Sequence, residues 1–430
     1  MSDRPAPVTP RPASPATGVT PARRVAYAVI RRVFERGAYA DRALHGEARG
    51  LDPRERGLAM QLAYGTVQRR LSLDHMIEQL ARPVGELDAP TLAALRLGLY
   101  QLAFLGNAAP HAVVGESVEL AKGHKGGHAL VNAVLRRALR ERLPPLPADD
   151  TPQGAAIAHS YPPWLVELWW ERFGADEARA LLRAGNEPGE LALRVNTLVA
   201  SPAQVAEQLP VPTQPAGDEL PEGVVVTGAF DAHAHPLYRQ GAYIAQSRAA
   251  MLVARELDPQ PGERVLDLCA APGGKTTHLA ALMDDRGEIV AIERHGKRAQ
   301  ALQRTCDRMG ASSIAVRTAD AAHFTADAPF DRVLVDPPCS GLGTLQGHPD
   351  LRWRMTPASI AQLATAQAAI LDAAARALRP GGVLVYSTCT LSPAENEARV
   401  AATGMQVESE RLVLPHHDRT DGFYIARLSR

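Results

Sequence analysis

Two cysteines lie where a catalytic thiol would be useful. Cys339 is part of Asp336–Gly343 (DPPCSGLG), and Cys389 is part of Tyr386–Thr390 (YSTCT). Each follows an apolar run typical of a buried strand, and the carboxyl ends of parallel strands meet at one edge of a sheet. Asp336 adds a carboxylate to the same edge. Two thiols and a carboxylate on neighbouring loops predict covalent nucleophilic catalysis.

A glycine-rich turn precedes both cysteines in the chain. The predicted strand Val265–Leu268 runs directly into Cys269–Lys275 (CAAPGGK), where Gly273 and Gly274 allow a tight turn and a close approach of a ligand to the backbone. The spacing matches neither the dinucleotide fingerprint with three glycines nor a phosphate-binding loop. Either this turn binds a ligand or it is a plain structural turn, and the acidic residues that follow decide between these two interpretations.

Carboxylates stand at the ends of the next two predicted strands. Glu293 can accept hydrogen bonds from both hydroxyls of a ribose, and Asp320 can accept one from an adenine amino group. Arg298 is placed to reach the same ligand, although a surface arginine is the simpler interpretation. Taken singly, each acid is more often a helix cap or a solvated loop end. Taken together, they predict an adenosine-bearing cofactor without phosphate, namely S-adenosylmethionine.

Methylation of cytosine at C5 is the reaction that joins this cofactor to two thiols. C5 does not attack a methyl sulfonium unaided, but a thiolate that adds to C6 makes C5 nucleophilic. Electron density then develops at N3 and O2, which Asp336 can stabilise by sharing a proton. A base must later take the C5 proton so that the thiolate can leave. From the residues alone, either cysteine can be the nucleophile while the other assists product release.

Other interpretations of these residues are weaker. An isolated cysteine is usually a small buried hydrophobic residue, and we adopt that interpretation for Cys269 and Cys306. Amino-group methylases carry an aromatic residue after Asp-Pro-Pro, whereas Cys339 stands there in this chain, which favours carbon as the target. A DNA cytosine methylase is disfavoured because its nucleophile lies in a Pro-Cys loop without a Thr-Cys partner such as Cys389.

The elements that must position these residues divide the chain into five predicted segments. They are a disordered Pro/Ala-rich tail (1–21), an all-α bundle of six or seven helices (22–143), a proline-dense linker (144–160), a small α+β subdomain (161–250) and an α/β domain (251–430). In the last segment strands at 264–268, 288–293, 313–318, 331–335 and 382–387 alternate with helices, and 423–428 adds a late strand. Such alternation predicts a doubly wound, Rossmann-like sheet with helices on both faces.

Composition and charge limit the partners and the cellular compartment that we predict for the chain. The chain carries 47 Lys plus Arg and 47 Asp plus Glu, so its net charge indicates no partner. Residues 23–142 are locally basic, which is typical of a nucleic-acid-binding surface or of a solvated helical one. Four cysteines without close pairing do not form a disulfide framework, and no apolar run approaches the roughly 20 residues that span a bilayer. We predict a cytoplasmic monomer with no membrane segment and no metal.

Together the motifs resemble the Nop2/Sun family of RNA cytosine-C5 methyltransferases over nearly the whole chain from about residue 22. The resemblance rests on the stretches 269–276 (CAAPGGKT), 336–341 (DPPCSG), 387–390 (STCT), 395–397 (ENE) and 421–424 (DGFY). The helical region, with 63–66 (AYGT) and 131–137 (VNAVLRR), is similar to the antitermination factor NusB. Within the family, this NusB-like domain favours the bacterial enzymes that act on 16S rRNA.

The resemblance implies roles that the residues alone leave open. Cys389 becomes the nucleophile, Cys339 assists release, and Asp336 lies near both base and cofactor. Leu191–Asn196 and Gln246 would belong to an RNA-facing subdomain, and the target would be cytidine 967 of 16S rRNA. The implied S-adenosylmethionine site comprises Cys269, Ala270, Ala271, Pro272, Gly273, Gly274, Lys275, Glu293, Arg298, Asp320 and Asp336.

One departure from the family pattern concerns RNA contact. The bacterial enzymes usually carry two arginines before His-Pro-Asp, whereas Gln346 and Gly347 stand there in this chain. Arg352 and Arg354 are therefore expected to take over any contact with RNA phosphate.

The target base must leave its stack to meet both thiols, so single-stranded or locally opened RNA is the expected substrate. The same chemistry on tRNA or at another rRNA position is the main alternative. A non-catalytic RNA-binding or antitermination factor is disfavoured because both thiols and Asp336 are present.

Overall fold

The structure is a computed structural model that describes residues 18–430 except residues 82, 107, 125 and 229. Most of the predicted tail, 1–21, therefore lies outside the described residues. The chain divides into two compact units, Met1–Pro147 and Ala148–Arg430. None of the described helices is long and apolar enough to cross a membrane.

The described residues of the N-terminal unit form helices joined by loops, as the sequence predicts. Its α-helices are α1 (Pro21–Arg36), α2 (Ala40–Glu47), α3 (Pro53–Gln68), α4 (Arg70–Leu80), α5 (Ala89–Phe104), α6 (Pro110–Leu120) and α7 (Gly127–Glu141). The side chains of Asp52 and Asp88 cap α3 and α5, and a proline occupies the first turn of each helix. An aspartate followed closely by a proline therefore marks the start of each of these two helices. The apolar faces bury residues such as Ile30, Leu73 and Leu97.

The C-terminal unit begins with three helices and a small antiparallel sheet. The elements are α8 (Pro152–His159), α9 (Pro163–Phe173), α10 (Ala175–Ala184), β1 (Leu191–Val195), α11 (Pro202–Gln208), β2 (Thr213–Pro215), β3 (Gly223–Val226), α12 (Pro236–Arg239) and β4 (Tyr243–Ala245). The strand order is β2-β3-β1-β4. Leu193 of β1 pairs with Val224 and Ala245, and Leu193, Val224 and Tyr243 contribute to the buried core of this sheet. This is the predicted small α+β architecture.

A seven-stranded sheet follows. Its elements are α13 (Arg248–Leu257), β5 (Arg264–Asp267), α14 (Gly274–Leu282), β6 (Glu288–Glu293), α15 (Gly296–Met309), β7 (Ile314–Thr318), β8 (Phe330–Val335), α16 (Leu351–Arg354), α17 (Pro357–Ala377), β9 (Leu378–Thr388), α18 (Glu397–Ala402), β10 (Gln406–Val413), α19 (Pro415–Asp418) and β11 (Phe423–Ser429). The order is β10-β11-β9-β8-β5-β6-β7, in which β9, β8, β5, β6 and β7 are parallel. Along the chain, β6 and β7 are added on one side of β5, and β8 and β9 are then added on its other side. The order of the strands therefore switches between β5 and β8. In such sheets, ligands bind at this switch point.

Several elements differ from the sequence prediction, α8 and β10 among them. The second half of the predicted linker 144–160 forms α8, because the Thr151 side chain accepts the backbone N–H of Gly154 and Pro152 occupies the first turn. Strand β10 was not predicted. It lies at the sheet edge with most of its side chains exposed, so it lacks the apolar alternation that reveals a strand.

A buried His–Glu pair joins α14 to the turn before β3. Nε2 of His278 lies 2.7 Å from Oε1 of Glu222. Burial, with the nearby charge of Arg194, lowers the pKa of His278 to about 4 despite the attraction of Glu222. Below the ordinary pKa of 6.5, the unfolded chain takes up a proton at this imidazole and the folded chain does not. The contribution of this group to the free energy of unfolding is therefore fully present above pH 6.5, and it is lost as the pH falls from 6.5 toward 4.

We expect the free energy of unfolding of the C-terminal unit to fall by about 2 kcal/mol between pH 7.5 and pH 5 through this group. Because all four tryptophans lie in that unit, tryptophan fluorescence during urea unfolding reports on it selectively. His278→Gln should remove this part of the pH dependence, and His233→Gln, at an exposed histidine, should retain it. A full pH-dependent drop in His278→Gln would show that another group is responsible.

Candidate active site

The two candidate thiols meet at the carboxyl edge of the seven-stranded sheet. Cys389 directly follows β9, and Cys339 lies on the loop after the neighbouring parallel strand β8. Their Sγ atoms are 3.3 Å apart. Both cysteines are free thiols and half-buried. The structure therefore brings together two residues that are 50 positions apart in the chain.

The two thiols share a hydrogen bond. This contact with the sulfur of Cys389, together with burial, raises the pKa of Cys339 well above its ordinary value. Because an S–H of one cysteine faces the sulfur of the other, one thiol can stabilise negative charge on its neighbour.

Asp336 is held by partners from two elements. Nζ of Lys275 in α14 lies 2.7 Å from Oδ2, and the hydroxyl of Ser387 in β9 donates to Oδ1 at 2.9 Å. Burial lowers the pKa of Lys275, but the attraction of Asp336 outweighs it and the pKa is raised. Lys275 is therefore a cation engaged by Asp336. Sequence reasoning missed Ser387, whose only signal is its position two residues before Cys389.

Glu395 is buried and fastens both cysteine loops. Ser340, which follows the first cysteine, donates its backbone N–H to Oε1 at 2.8 Å and its hydroxyl to Oε2 at 2.5 Å. The hydroxyl of Thr390, which follows the second cysteine, lies 2.6 Å from that of Ser340. Gln367 of α17 donates to Oε1 at 3.1 Å. Glu395 thus links the two loops that carry the sulfurs, a role that its motif alone did not reveal.

We expect Glu395→Gln to lower the free energy of unfolding by about 1–3 kcal/mol, because the neutral amide loses the charge-assisted hydrogen bonds that the carboxylate accepts from Ser340 and Gln367. Misplaced sulfurs should also lower kcat by about tenfold or more. Urea unfolding and methyl-transfer kinetics measure the two effects. Glu171→Gln, at an exposed glutamate of α9, should change neither quantity. Wild-type kcat in Glu395→Gln would remove this residue from the positioning of the thiols.

Two glycines form a second link to the nucleophile loop. The backbone N–H of Gly343 donates to the carbonyl oxygen of Cys389 at 2.9 Å, and the N–H of Gly422 donates to the carbonyl of Gly343 at 2.8 Å. A Cβ on Gly343 would lie 1.9 Å from the carbonyl oxygen of Gly422, so only glycine permits this approach. The 421–424 stretch that contributed to the family resemblance therefore contacts the loops that carry the thiols.

The loop Cys269–Lys275 leaves β5 and opens α14 at the switch point. Gly273 has φ +105°, a conformation that favours glycine. The hydroxyl of Thr276 donates to Oδ2 of Asp267 at 2.8 Å and so anchors the loop to the end of the strand. Burial raises the pKa of Asp267 to about 6. The other predicted cofactor residues on this turn are Ala270, Ala271, Pro272 and Gly274.

Two carboxylates stand at the ends of the adjoining strands. Glu293 ends β6, accepts the backbone N–H of His295 at 2.8 Å, and lies 3.4 Å from Nε of Arg298. Arg298 also donates to the carbonyl oxygen of Ala271 at 2.9 Å, so it bridges the loop and Glu293. Asp320 follows β7, which pairs with β6, and caps a short 3-10 turn. All of these residues share the edge of the sheet that carries the thiols.

This set of polar groups fits an adenosine-bearing cofactor without phosphate. The oxygens of Glu293 and Asp320 accept hydrogen bonds from hydroxyl and amino groups, whereas they would repel a phosphate. Lys275, the lysine of the loop, is already engaged by Asp336.

The remaining cysteines have the properties of structural residues. Cys306 is buried in the core, and burial raises its pKa to about 12. Cys269 packs against the core of the sheet, and burial likewise raises its pKa. The interpretation of both as small hydrophobic residues is therefore supported by their surroundings.

The expectation that Arg352 contacts RNA phosphate is wrong. Its guanidinium is buried, donates to the carbonyl oxygen of Ser160 at 3.1 Å and to Oδ1 of Asn186 at 3.0 Å, and stacks over the Tyr161 ring. A cation enclosed in this way holds α16 against the helices before the small sheet. Its charge in the sequence does not reveal this burial.

Gln346, which replaces an expected arginine, donates to the carbonyl oxygen of Ala184 at 2.7 Å and so also makes an internal contact. The side chain of Arg354 is 26% exposed and lies 4.0 Å from Asp350.

Three family models match consecutive parts of the chain. The NusB family matches residues 20–140, a ferredoxin-like domain described as Methyltr_RsmF/B-like matches 161–233, and the 16S rRNA methyltransferase RsmB/F family matches 254–412.

Named relatives match along nearly the whole chain. The probable ribosomal RNA small subunit methyltransferase B of Synechocystis sp. is 39% identical, with 95% of this chain and 99% of that protein covered. The protein of the same name from Bacillus subtilis is 33% identical, with 96% and 99% covered. The ribosomal RNA small subunit methyltransferase B of Vibrio cholerae is 32% identical, with 95% and 97% covered.

Solved structures share the architecture. The crystal structure of PH0851 is similar with a TM-score of 0.80 at 26% identity, covering 96% of this chain and 99% of that one. The structure of NSun6 from Pyrococcus horikoshii with SFG has a TM-score of 0.59 at 25% identity, covering 63% of this chain and 98% of that one.

Proposed function

Because the chain belongs to the RsmB/F family of 16S rRNA methyltransferases, we propose that it methylates C5 of a cytidine in 16S rRNA with S-adenosylmethionine. The family resemblance predicted from the motifs is thereby confirmed. The observation that carries the C5 chemistry is the pair of sulfurs 3.3 Å apart, next to Asp336 with its lysine partner. Cytidine 967 is the proposed target nucleotide.

In the proposed mechanism, the thiolate of Cys389 adds to C6 of the base. The pair of Asp336 and Lys275 faces the electron density that develops at N3 and O2. Lys275 holds a proton beside one oxygen of the Asp336 carboxylate, and this carboxylate can relay the proton from Lys275 to N3. Ser387 donates a hydrogen bond to the other carboxylate oxygen. The result is an enamine-like base whose C5 is nucleophilic.

Cys339 is proposed to act in the second half of the reaction. Its proton is retained chiefly because it hydrogen-bonds to the sulfur of Cys389. Once that sulfur is bonded to C6, this cause is lost and the pKa of Cys339 falls, so that its thiol releases its proton to solvent. The resulting thiolate of Cys339 takes the C5 proton, the bond between C6 and sulfur breaks so that Cys389 leaves as a thiolate, and N3 returns its proton to Asp336. The short distance between the two sulfurs thus serves both the addition to C6 and the later elimination.

Bound S-adenosylmethionine supplies the methyl group as an electrophilic carbon on a sulfonium. The residues proposed to hold it are the loop Cys269–Lys275 with Glu293, Arg298, Asp320 and Asp336. Glu293 and Asp320 would accept hydrogen bonds from the ribose and the adenine. Arg298 holds Glu293 and the loop in one arrangement.

The RNA is proposed to be single-stranded or locally opened at the target, because the base must leave its stack to reach both sulfurs. The locally basic NusB-like helices would bind the phosphate backbone. An rRNA substrate implies that the protein works in the cytoplasm.

The test is methyl transfer from labelled S-adenosylmethionine to naked 16S rRNA, to 30S particles and to tRNA, each taken from cells that lack the gene. We expect label in 5-methylcytidine from one 16S rRNA fragment that contains cytidine 967, and none with Cys389→Ala. Label in tRNA alone would favour the alternative substrate. Label in a different nucleoside would overturn the C5 chemistry.

A further inference from the structure

Away from the active site, three metal-ligating side chains converge on one point. Nε2 of His416 and Nε2 of His417, both in α19, lie 2.8 and 2.7 Å from the same oxygen, Oε2 of Glu177 in α10. The three ligand atoms lie within 4.8 Å of one another. Glu177 and His416 are 239 positions apart, so no motif in the sequence indicates the cluster.

We propose that Glu177, His416 and His417 form a binding site for a divalent transition-metal ion, and that Zn²⁺ is the ion that fits best. Two imidazoles and one carboxylate with an open fourth position are a common ligand set for zinc. Imidazole nitrogen disfavours Mg²⁺ and Ca²⁺, which take oxygen ligands. The open position would hold water.

The geometry is close to what a bound ion requires. Ligand atoms about 2.0–2.2 Å from a tetrahedral ion lie roughly 3.4 Å apart, so the two N–O separations must each open by about 0.6 Å. The side chains of His417 and Glu177 are 57% and 46% exposed and have space to rotate. His416 is 7% exposed and supplies the fixed ligand.

An ion at this site would have a structural consequence near the thiols. It would fasten α10 to α19, which ends four residues before Gly422. Gly422 is hydrogen-bonded to Gly343, and Gly343 to the carbonyl oxygen of Cys389. The site therefore stabilises the segment that packs against the nucleophile loop.

The experiment uses the full chain without a polyhistidine tag, stripped of metal by dialysis against a chelator. Calorimetric titration with Zn²⁺ at pH 7.5 should show one ion per chain, and Co²⁺ should give the visible absorption of a tetrahedral site. Zn²⁺ should also raise Tm. His417→Ala and Glu177→Gln should each weaken Zn²⁺ binding by more than about tenfold, because loss of even an outer-shell partner costs that much. Both variants should lose the shift in Tm.

The controls separate this site from the paired thiols, which are the competing zinc ligands. A Cys339→Ala/Cys389→Ala double variant should bind Zn²⁺ as the wild type does. So should His45→Ala, at an exposed histidine of the N-terminal unit. Binding that follows the cysteines and not the histidines would overturn the proposal. So would the absence of stoichiometric Zn²⁺ uptake by the wild type, which would leave the cluster a set of hydrogen bonds only.

Discussion

A Cys339→Ala variant should accumulate a covalent complex with its RNA substrate, and a Cys389→Ala variant should form none. In the proposed mechanism Cys389 makes the bond to C6, so its loss should lower turnover at least about 1,000-fold. The sulfur of Cys339 lies 3.3 Å from that of Cys389 and is placed to assist the elimination that breaks the bond. Without it, the methylated base stays attached. A denaturing gel of protein mixed with labelled RNA and S-adenosylmethionine measures the complex directly.

The matched control for this prediction is Cys306→Ala, which removes a thiol from the core far along α15. This variant should turn over RNA and leave no lasting complex. If the complex depends on Cys339 and survives Cys389→Ala, the two roles are reversed while the chemistry stands. If neither variant differs from wild type, the covalent mechanism itself is wrong.

Asp336→Asn should lower kcat by about 10²- to 10⁴-fold, the usual range for loss of a positioned acid or base. The amide keeps the shape of the carboxyl group but loses its charge and its ability to pass a proton to N3. Lys275 would also lose its counter-charge, so that burial, which lowers its pKa, would meet less opposition. Single-turnover methyl transfer with saturating RNA and S-adenosylmethionine isolates this effect from binding.

The double variant Asp336→Asn/Cys339→Ala tests whether Asp336 acts in the addition of Cys389 to C6. Formation of the covalent complex should slow by a similar factor, because in the proposed mechanism Asp336 acts when Cys389 adds to C6. Ser387→Ala is the graded control. It removes one hydrogen bond worth about 0.5–1.5 kcal/mol and should cost only about 2- to 12-fold. Complex formation at the wild-type rate in the double variant would restrict Asp336 to holding the cofactor.

Much of the fold follows from local sequence signals. Strands β5, β6 and β8 begin and end close to their predicted bounds, because apolar periodicity and turn residues act over ten or twenty positions. Among the elements that were not predicted, α8 has a proline-rich approach and β10 has an exposed, polar face. In both cases tertiary packing or capping overrides a weak local pattern.

By itself, the sequence determined the kind of chemistry: thiols and carboxylates at the ends of strands, around a turn suited to a nucleoside cofactor. Only the tertiary structure placed the two sulfurs 3.3 Å apart and so raised the pKa of Cys339, because a pKa depends on burial and on neighbours brought close by packing. The same holds for Ser387 beside Asp336, for Glu395 between the two loops and for the buried Arg352. Their partners lie between 5 and 192 positions away, and such pairings are decided by how the whole unit packs and not by local spacing.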